Sequence, residues 1–478
     1  MNTAADATTN SESNSQPLGV WDAASLIVGI VIGASLFRVP SLVFSNVPDA
    51  GTGLFLWLAG GLLSLAGALC YCELATAWPR LGGDYVYLTR AYGPAVGFLF
   101  GWMRFAVILP ANVGAMAFIF AEHARRLCPL PTTPGFAATW TAAVAAMAVV
   151  VLTALNLRGA LFGKRVQNAL TASKLIGLLL IIVAGFWLSY LSSGPAEAAP
   201  PPAGTPAYGL ALVFILYAYG GWSDAAFVAA EVRDVRRNMP RALLLGLGTI
   251  TALYVIVNVA YLAGLGLNGV KSSATPAAEL LARAWGPAGE AAISLIVMIS
   301  TLGAINGLLY SGSRLTASLG DDHRAFRFLG GWGKRHATPV HALLGIAGVS
   351  LLLIWLVGTG SGKSVLDATL GWTGDRSLKW TPGEAGFDTL VTGTAPTFWM
   401  FFCLTAAAVP VLRWREPQVE RPFRCGVAVT PVIFGATSIY MLWSSLTYAR
   451  SLSLLGLVIL IVGAMAYAVG GRTPRQNP

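Results

Sequence analysis

The chain has 478 residues, 55% of them hydrophobic and only 11% charged, with a mean hydropathy of +0.66. A soluble domain carries roughly 25% charged residues, so composition excludes an ordinary water-soluble globule and indicates an all-α membrane protein with the lipid bilayer as its main solvent. The net charge of +10 comes without a basic stripe interleaved with aromatics, so no nucleic acid partner is expected.

Residues 1–19 contain no Lys or Arg. They lack the basic start of a signal peptide and read as a disordered cytoplasmic tail. A membrane helix needs roughly 20 mostly apolar residues. Windows that qualify lie near 21–45, 52–78, 94–121, 136–156, 167–190, 208–231, 242–266, 288–318, 339–357, 389–412, 428–447 and 452–470, which predicts 12 transmembrane helices. With both termini cytoplasmic, the inner loops and tail hold 19 of the 31 Lys and Arg residues. The opposite side holds only Arg125, Arg126, Lys271, Arg283, Lys363, Arg376, Lys379 and Arg450. The positive-inside rule selects this orientation and places the chain as an integral protein of a plasma or bacterial inner membrane.

The polar inserts are short except for 191–207, 268–287 and 358–388, all expected outside. The first reads as a linker. The third, with Asp367, Trp372, Asp375, Trp380, Glu384 and Asp388, is compatible with a small ordered lid. None is long enough to form an enzyme domain. Five cysteines give no disulfide framework and no metal-ligand spacing. The four histidines lie at loops or span ends, so neither a metal, a cofactor nor catalysis is expected.

Two spans carry weak points. Span one contains Val31-Ile32-Gly33-Ala34-Ser35-Leu36-Phe37-Arg38-Val39-Pro40. Opening of the helix at Gly33–Ser35 would present free N–H groups and a positive dipole end to a carboxylate. Carbonyls of the preceding turn would then accept from an ammonium group. The same small residues would equally serve close packing against a neighbouring helix. Span six contains Tyr217-Ala218-Tyr219-Gly220-Gly221-Trp222, where paired glycines between aromatics predict a second unwound stretch; a Tyr/Trp packing layer is the simpler reading of any one ring. Broken helices in corresponding positions of two halves point to a transporter site.

In chain order the sequence resembles the amino acid–polyamine–organocation transporters, and within them the L-type amino acid transporter branch. The resemblance rests on Gly33-Ala34-Ser35-Leu36-Phe37, on Pro79-Arg80-Leu81-Gly82-Gly83-Asp84-Tyr85 after span two, and on Glu231-Val232-Arg233-Asp234 with Arg237-Asn238-Met239-Pro240-Arg241 after span six. Leu302-Gly303-Ala304-Ile305-Asn306-Gly307 and Ser313-Arg314 in span eight continue it, as do Arg413-Trp414-Arg415-Glu416-Pro417 and Arg421-Pro422-Phe423-Arg424 after span ten.

The resemblance implies a five-plus-five inverted repeat, residues 20–190 and 208–413, with helices 1 and 6 broken and two C-terminal helices, 428–470, outside the repeat. It implies an amino acid substrate whose carboxylate meets the N–H groups of Gly33, Ala34 and Ser35. The ammonium would meet carbonyls near Val31, Tyr217 and Gly220, within a site of Val31–Ser35 and Tyr217–Gly221. Tyr217 matches the position of the aromatic outer gate. Ser35 stands where the family has its second glycine, which adds a side chain where backbone approaches ligand. Lys174 in span five matches a lysine that takes the place of a sodium ion in related sodium-coupled transporters. That implies sodium-independent transport, coupled to protons or to exchange; a lysine snorkelling to the surface is the alternative.

Arg38 lies toward the outer vestibule and is expected to pair with a carboxylate such as Asp49. Glu73 and Arg104 are expected as surface anchors or loop partners, Glu231 and the arginines after it as a cytoplasmic charge network, and Asn306 as support for the site. Cys128-Pro129 falls where the L-type branch has a cysteine linked to a heavy chain; a single Cys-Pro match is easily accidental, so an unlinked outer-loop thiol is expected. The functional expectation is an alternating-access transporter of neutral amino acids. Polyamines or cationic amino acids are the alternative cargo. A transporter-like amino acid receptor is the alternative class, disfavoured by tails of about 19 and 8 residues.

Overall fold

The computed structural model describes residues 18–78, 82–128, 133–159, 164–191, 205–225, 232–333, 338–371, 386–426, 429–449 and 451–470. The first described residue, Leu18, falls within the predicted tail. There the Leu18 carbonyl accepts from Arg233 N at 3.0 Å, and Leu18 bridges Val232 in parallel, so the entry to span one is tied to the segment after span six.

In chain order the helices are α1 (Val20–Val31), a 3₁₀ turn (Ala34–Phe37), α2 (Val39–Ser45), α3 (Ala50–Ala77), α4 (Asp84–Tyr92) and α5 (Pro94–Met103). A π-helical turn (Arg104–Ile108) joins α5 to α6 (Leu109–Leu127), followed by α7 (Pro134–Leu157) and α8 (Lys164–Leu191). The second half comprises α9 (Tyr208–Ala218), α10 (Trp222–Ala225), α11 (Val235–Ser272), α12 (Pro276–Asp322), α13 (Val340–Gly358), α14 (Gly360–Leu370), α15 (Gly386–Arg415), α16 (Val429–Ala449) and α17 (Ser451–Gly470). A two-stranded ladder pairs Trp332–Gly333 with Thr338–Pro339.

Among the described residues, ten helices are long and apolar enough to cross a membrane. At 1.5 Å per residue the 28 residues of α3 reach about 42 Å, beyond the ~30 Å of a hydrocarbon core. The windows predicted as spans one and six instead contain the shorter apolar helices α1 and α9, each followed by a break. Helix starts follow local chemistry. Pro94 and Pro134 occupy first-turn positions where a missing N–H costs nothing, and Asp49 caps α3 by accepting from Thr52 N at 2.8 Å. The predicted inserts hold more helix than expected. α12 starts at Pro276 and is interrupted at Trp285–Gly286, and α14 lies at the start of the 358–388 insert. Trp372, Asp375, Trp380 and Glu384 of the suggested lid lie outside the described residues.

α12 is the central pillar, packed along α6 and α8; α11 packs along α8 and α3, and α15 along α16. At Gly185 a Cβ would fall 2.2 Å from the Ala260 carbonyl oxygen, so the backbones of α8 and α11 come closer than any side chain allows. Buried polar ties fix the other end of the bundle. Asp84 at the start of α4 accepts from the Tyr71 hydroxyl and from Thr405 Oγ1, the latter at 2.7 Å, binding α4 to α3 and α15. Of the two roles expected for Glu73, surface anchor or loop partner, the structure shows the second. It is 1% exposed and accepts from Arg413 Nε at 2.8 Å, Arg413 Nη2 at 2.6 Å and Cys425 N at 2.9 Å. Burial with this full set of donors makes it an internal lock between α3 and the segment after α15.

Candidate functional site

α1 ends at Val31, and Ile32 (φ −65°, ψ 99°) and Gly33 (φ −100°, ψ 166°) run extended. The chain then winds into the 3₁₀ turn Ala34–Phe37 and passes through Arg38 into α2. The break thus lies at Ile32–Gly33, a residue earlier than expected, because Ala34 and Ser35 already belong to the following turn. Ala34, Ser35 and the residue before them stand at the start of that turn, where N–H groups have no acceptor within the helix. The side chains at 33–35 are small, and the stretch is packed under its neighbours, Ala34 and Ser35 being buried.

The second break follows α9. Gly220 N donates to the Tyr217 carbonyl at 3.0 Å, closing the last turn, and Gly221 at φ +100° redirects the chain into α10. A Cβ on Gly221 would be strained by that backbone and would lie 3.3 Å from the Ile30 carbonyl oxygen. The two breaks are therefore in contact, span six passing directly over the end of α1.

Two side chains from other helices hold the opened backbone. Tyr254 of α11 places its hydroxyl 3.3 Å from the Val31 carbonyl oxygen and 3.2 Å from that of Ala218. One hydroxyl proton is thereby shared between the last carbonyls of both half-helices. Lys174 of α8, half-buried, donates from Nζ to the Ile32 carbonyl at 3.2 Å. Its ammonium faces inward onto the break. Tyr219 is fully buried, donates its hydroxyl to the Trp57 carbonyl at 3.0 Å and stacks among Trp57 and Tyr254. Its ring belongs to the layer between α3 and α11, so what Tyr219 offers the break is backbone.

Above the breaks, on the side predicted to face out, Tyr217 meets Phe387 edge to face with ring centroids 5.7 Å apart. Beside them Arg38 Nη2 donates to Asp388 Oδ1 and Oδ2 at 3.2 and 3.0 Å, and Nη1 to Ser41 Oγ at 3.3 Å. Glu122 of α6 approaches Arg38 Nε at 3.7 Å. The expected partner Asp49 is not involved. It caps α3, where the Thr52 hydroxyl and N–H hold its carboxyl below the usual carboxylate range. α15 brings Asp388 to Arg38 across 350 positions of sequence.

Asn306 of α12 accepts from Asn156 Nδ2 of α7 at 2.7 Å and so braces α12 against α7. Cys128 is exposed at the end of α6. Arg104 begins the π-helical turn, while Glu231 lies outside the described residues. Tyr254, Asp388, Glu122 and Trp57 are the site residues that sequence reasoning misses. For Tyr254 a usable signal exists, since a polar side chain inside a long apolar window needs a partner; Glu122 falls just past the window predicted to end at 121.

A family model described as amino acid permease matches residues 18–470. Over 457 residues the chain is 28% identical to the b(0,+)-type amino acid transporter 1 of Homo sapiens, covering 94% of this chain and 86% of the relative. It is 29% identical over 466 residues to the large neutral amino acids transporter small subunit 2 of Homo sapiens, covering 95% and 80%. The Asc-type amino acid transporter 1 of Mus musculus is 29% identical over 465 residues, covering 95% and 81%.

Proposed function

The chain belongs to the amino acid permease family, and from that premise we propose that it is an integral membrane transporter moving neutral amino acids by alternating access, without sodium. The observation that carries this reading is the meeting of two helix breaks, bridged by Tyr254 and braced by Lys174. The substrate carboxylate sits on the N–H groups of Gly33, Ala34 and Ser35, where the dipole of the following half-helix favours an anion. The ammonium is met by carbonyls of Val31, Tyr217 and Gly220; a carbonyl that already accepts one hydrogen bond retains a second lone pair. The fixed charge of Lys174 on the Ile32 carbonyl does the work of a bound cation, which supports sodium independence.

Tyr217 with Phe387, and Arg38 with Asp388, form the gate on the outer side, both shut here. The proposal includes both termini inside and two five-span repeats, 20–190 and 208–413, each opening with a broken helix, for a total of 12 spans with 428–470 outside the repeat. Cys128 is read as an unlinked thiol, although one relative is named a small subunit. The neutral cargo is supported by the lining at the breaks, whose side chains are uncharged apart from Lys174, already held on backbone.

The test is uptake of radiolabelled amino acids by purified protein in sodium-free liposomes, with and without a proton gradient and with and without internal amino acid. Saturable uptake of neutral amino acids is expected. Binding of an amino acid without any uptake would overturn transport in favour of a receptor.

A further inference from the structure

We infer that Glu122 is a proton-binding site of the outer gate, carrying a proton while the gate is shut and releasing it when the gate opens. Arg38 directs its Nη hydrogen bonds to Asp388 and Ser41. Its Nε lies 3.7 Å from Glu122 Oε2, beyond hydrogen-bond reach. Neither carboxylate oxygen of Glu122 has a donor among the described residues, and the side chain is 10% exposed. An ionised carboxylate without donors at that burial is among the costliest arrangements in a protein. One guanidinium cannot neutralise two buried carboxylates, and the proton goes to the less well-paired of them. Asp388 holds the bidentate contact, so Glu122 takes the proton.

Among the described residues no second cation is in contact with Glu122. On α6 itself, Arg125 is exposed, Arg126 is engaged by Thr275 at 2.8 Å and Glu290 at 3.4 Å, and His123 faces Ser294 at 3.4 Å. α7, packed on α6, has no titratable side chain; α13 has His341 at its opposite end. α12 contributes Glu279, Arg283 and Glu290 at this end, Arg283 being paired to Glu279 at 2.7 Å, and Arg314, Asp321 and Asp322 at the other. α15 contributes Asp388 here and Arg413 and Arg415 at its far end. The π-helical turn packed below α6 carries Arg104, and the 3₁₀ turn carries no charge before Arg38.

Arg38 follows the extended pair Ile32–Gly33, whereas Glu122 sits on α6 packed between α12 and α7. When the half-helix carrying Arg38 swings from α15, water reaches Glu122, which ionises and gives its proton to the outer solution. Shutting the gate takes that proton back. External acid therefore favours closure, independently of Lys174. The inference rests on the proposed reading of this end as an outer gate.

The test is infrared spectroscopy of the purified full-length protein, comparing wild type with Glu122→Gln in the carboxylic-acid C=O region. A band present in wild type and lost in the variant is expected; identical spectra would overturn the proposal. If Glu122→Gln does not fold, Glu122→Asp serves, with a shifted or lost band expected and an unchanged one overturning it. Proteoliposome uptake separates the two readings. The Glu122 band in a protein that transports no amino acid would uphold the proton site and sink the transporter. Uptake whose external pH dependence is unchanged in Glu122→Gln would overturn the gate role.

Discussion

Lys174 Nζ lies 3.2 Å from the carbonyl oxygen of Ile32, so a helix 142 positions away supplies the donor that the broken first span lacks. A hydrogen bond from a charged group is worth about 1.5–3 kcal/mol. Lys174→Ala is therefore expected to slow uptake about ten- to hundredfold, with a smaller loss in Lys174→Arg. Initial rates in proteoliposomes check this. Wild-type rates in Lys174→Ala would place the lysine outside the mechanism.

Tyr254→Phe keeps the ring beside Trp57 and Tyr219 but removes the hydroxyl shared by the Val31 and Ala218 carbonyls. Leaving buried acceptors without that donor is expected to destabilise the protein by about 1–3 kcal/mol. Thermal unfolding in detergent checks the stability, and uptake checks function. A drop in uptake larger than the drop in folded protein is the predicted pattern, because the bond holds two breaks together rather than a single helix.

Much of this geometry is legible in the sequence. Gly33 with Ser35, and Gly220 with Gly221, mark both breaks, since weaker helix formers stand there inside apolar windows. The matched amino acid permease family bears out the resemblance read from the ordered motifs. The position of the first break is less legible, because a 3₁₀ turn can absorb Ala34 and Ser35 without any change of residue type. Arg38 is assigned the wrong carboxylate for a different reason. Asp49 is near in sequence but is used as a helix cap, while Asp388 is near only once α15 is packed. The burial of Glu73 escapes the sequence for the same reason, although a loop partner for it is expected. A charge close to a span end looks solvated until Arg413 and Cys425 fold over it.

Arg38 and Asp388 are 6% and 13% exposed, so loss of Arg38 leaves the Asp388 carboxylate buried without its cation. Breaking a buried pair by removing one partner costs about 3–5 kcal/mol. Arg38→Ala is expected to show that loss in thermal stability, and the double variant Arg38→Ala/Asp388→Ala to recover a large part of it. A double-mutant cycle measures the coupling. Additive losses would mean that the pair does not act as a unit.

The central claim is that an amino acid binds with its carboxylate on the backbone N–H groups of Gly33, Ala34 and Ser35. Hydrogen–deuterium exchange of the full-length protein, with and without a saturating neutral amino acid, reads those N–H groups directly. The account predicts slower exchange in peptides covering residues 31–38 and 217–221 when the amino acid is present. Protection confined to other segments, with 31–38 unchanged, would contradict it.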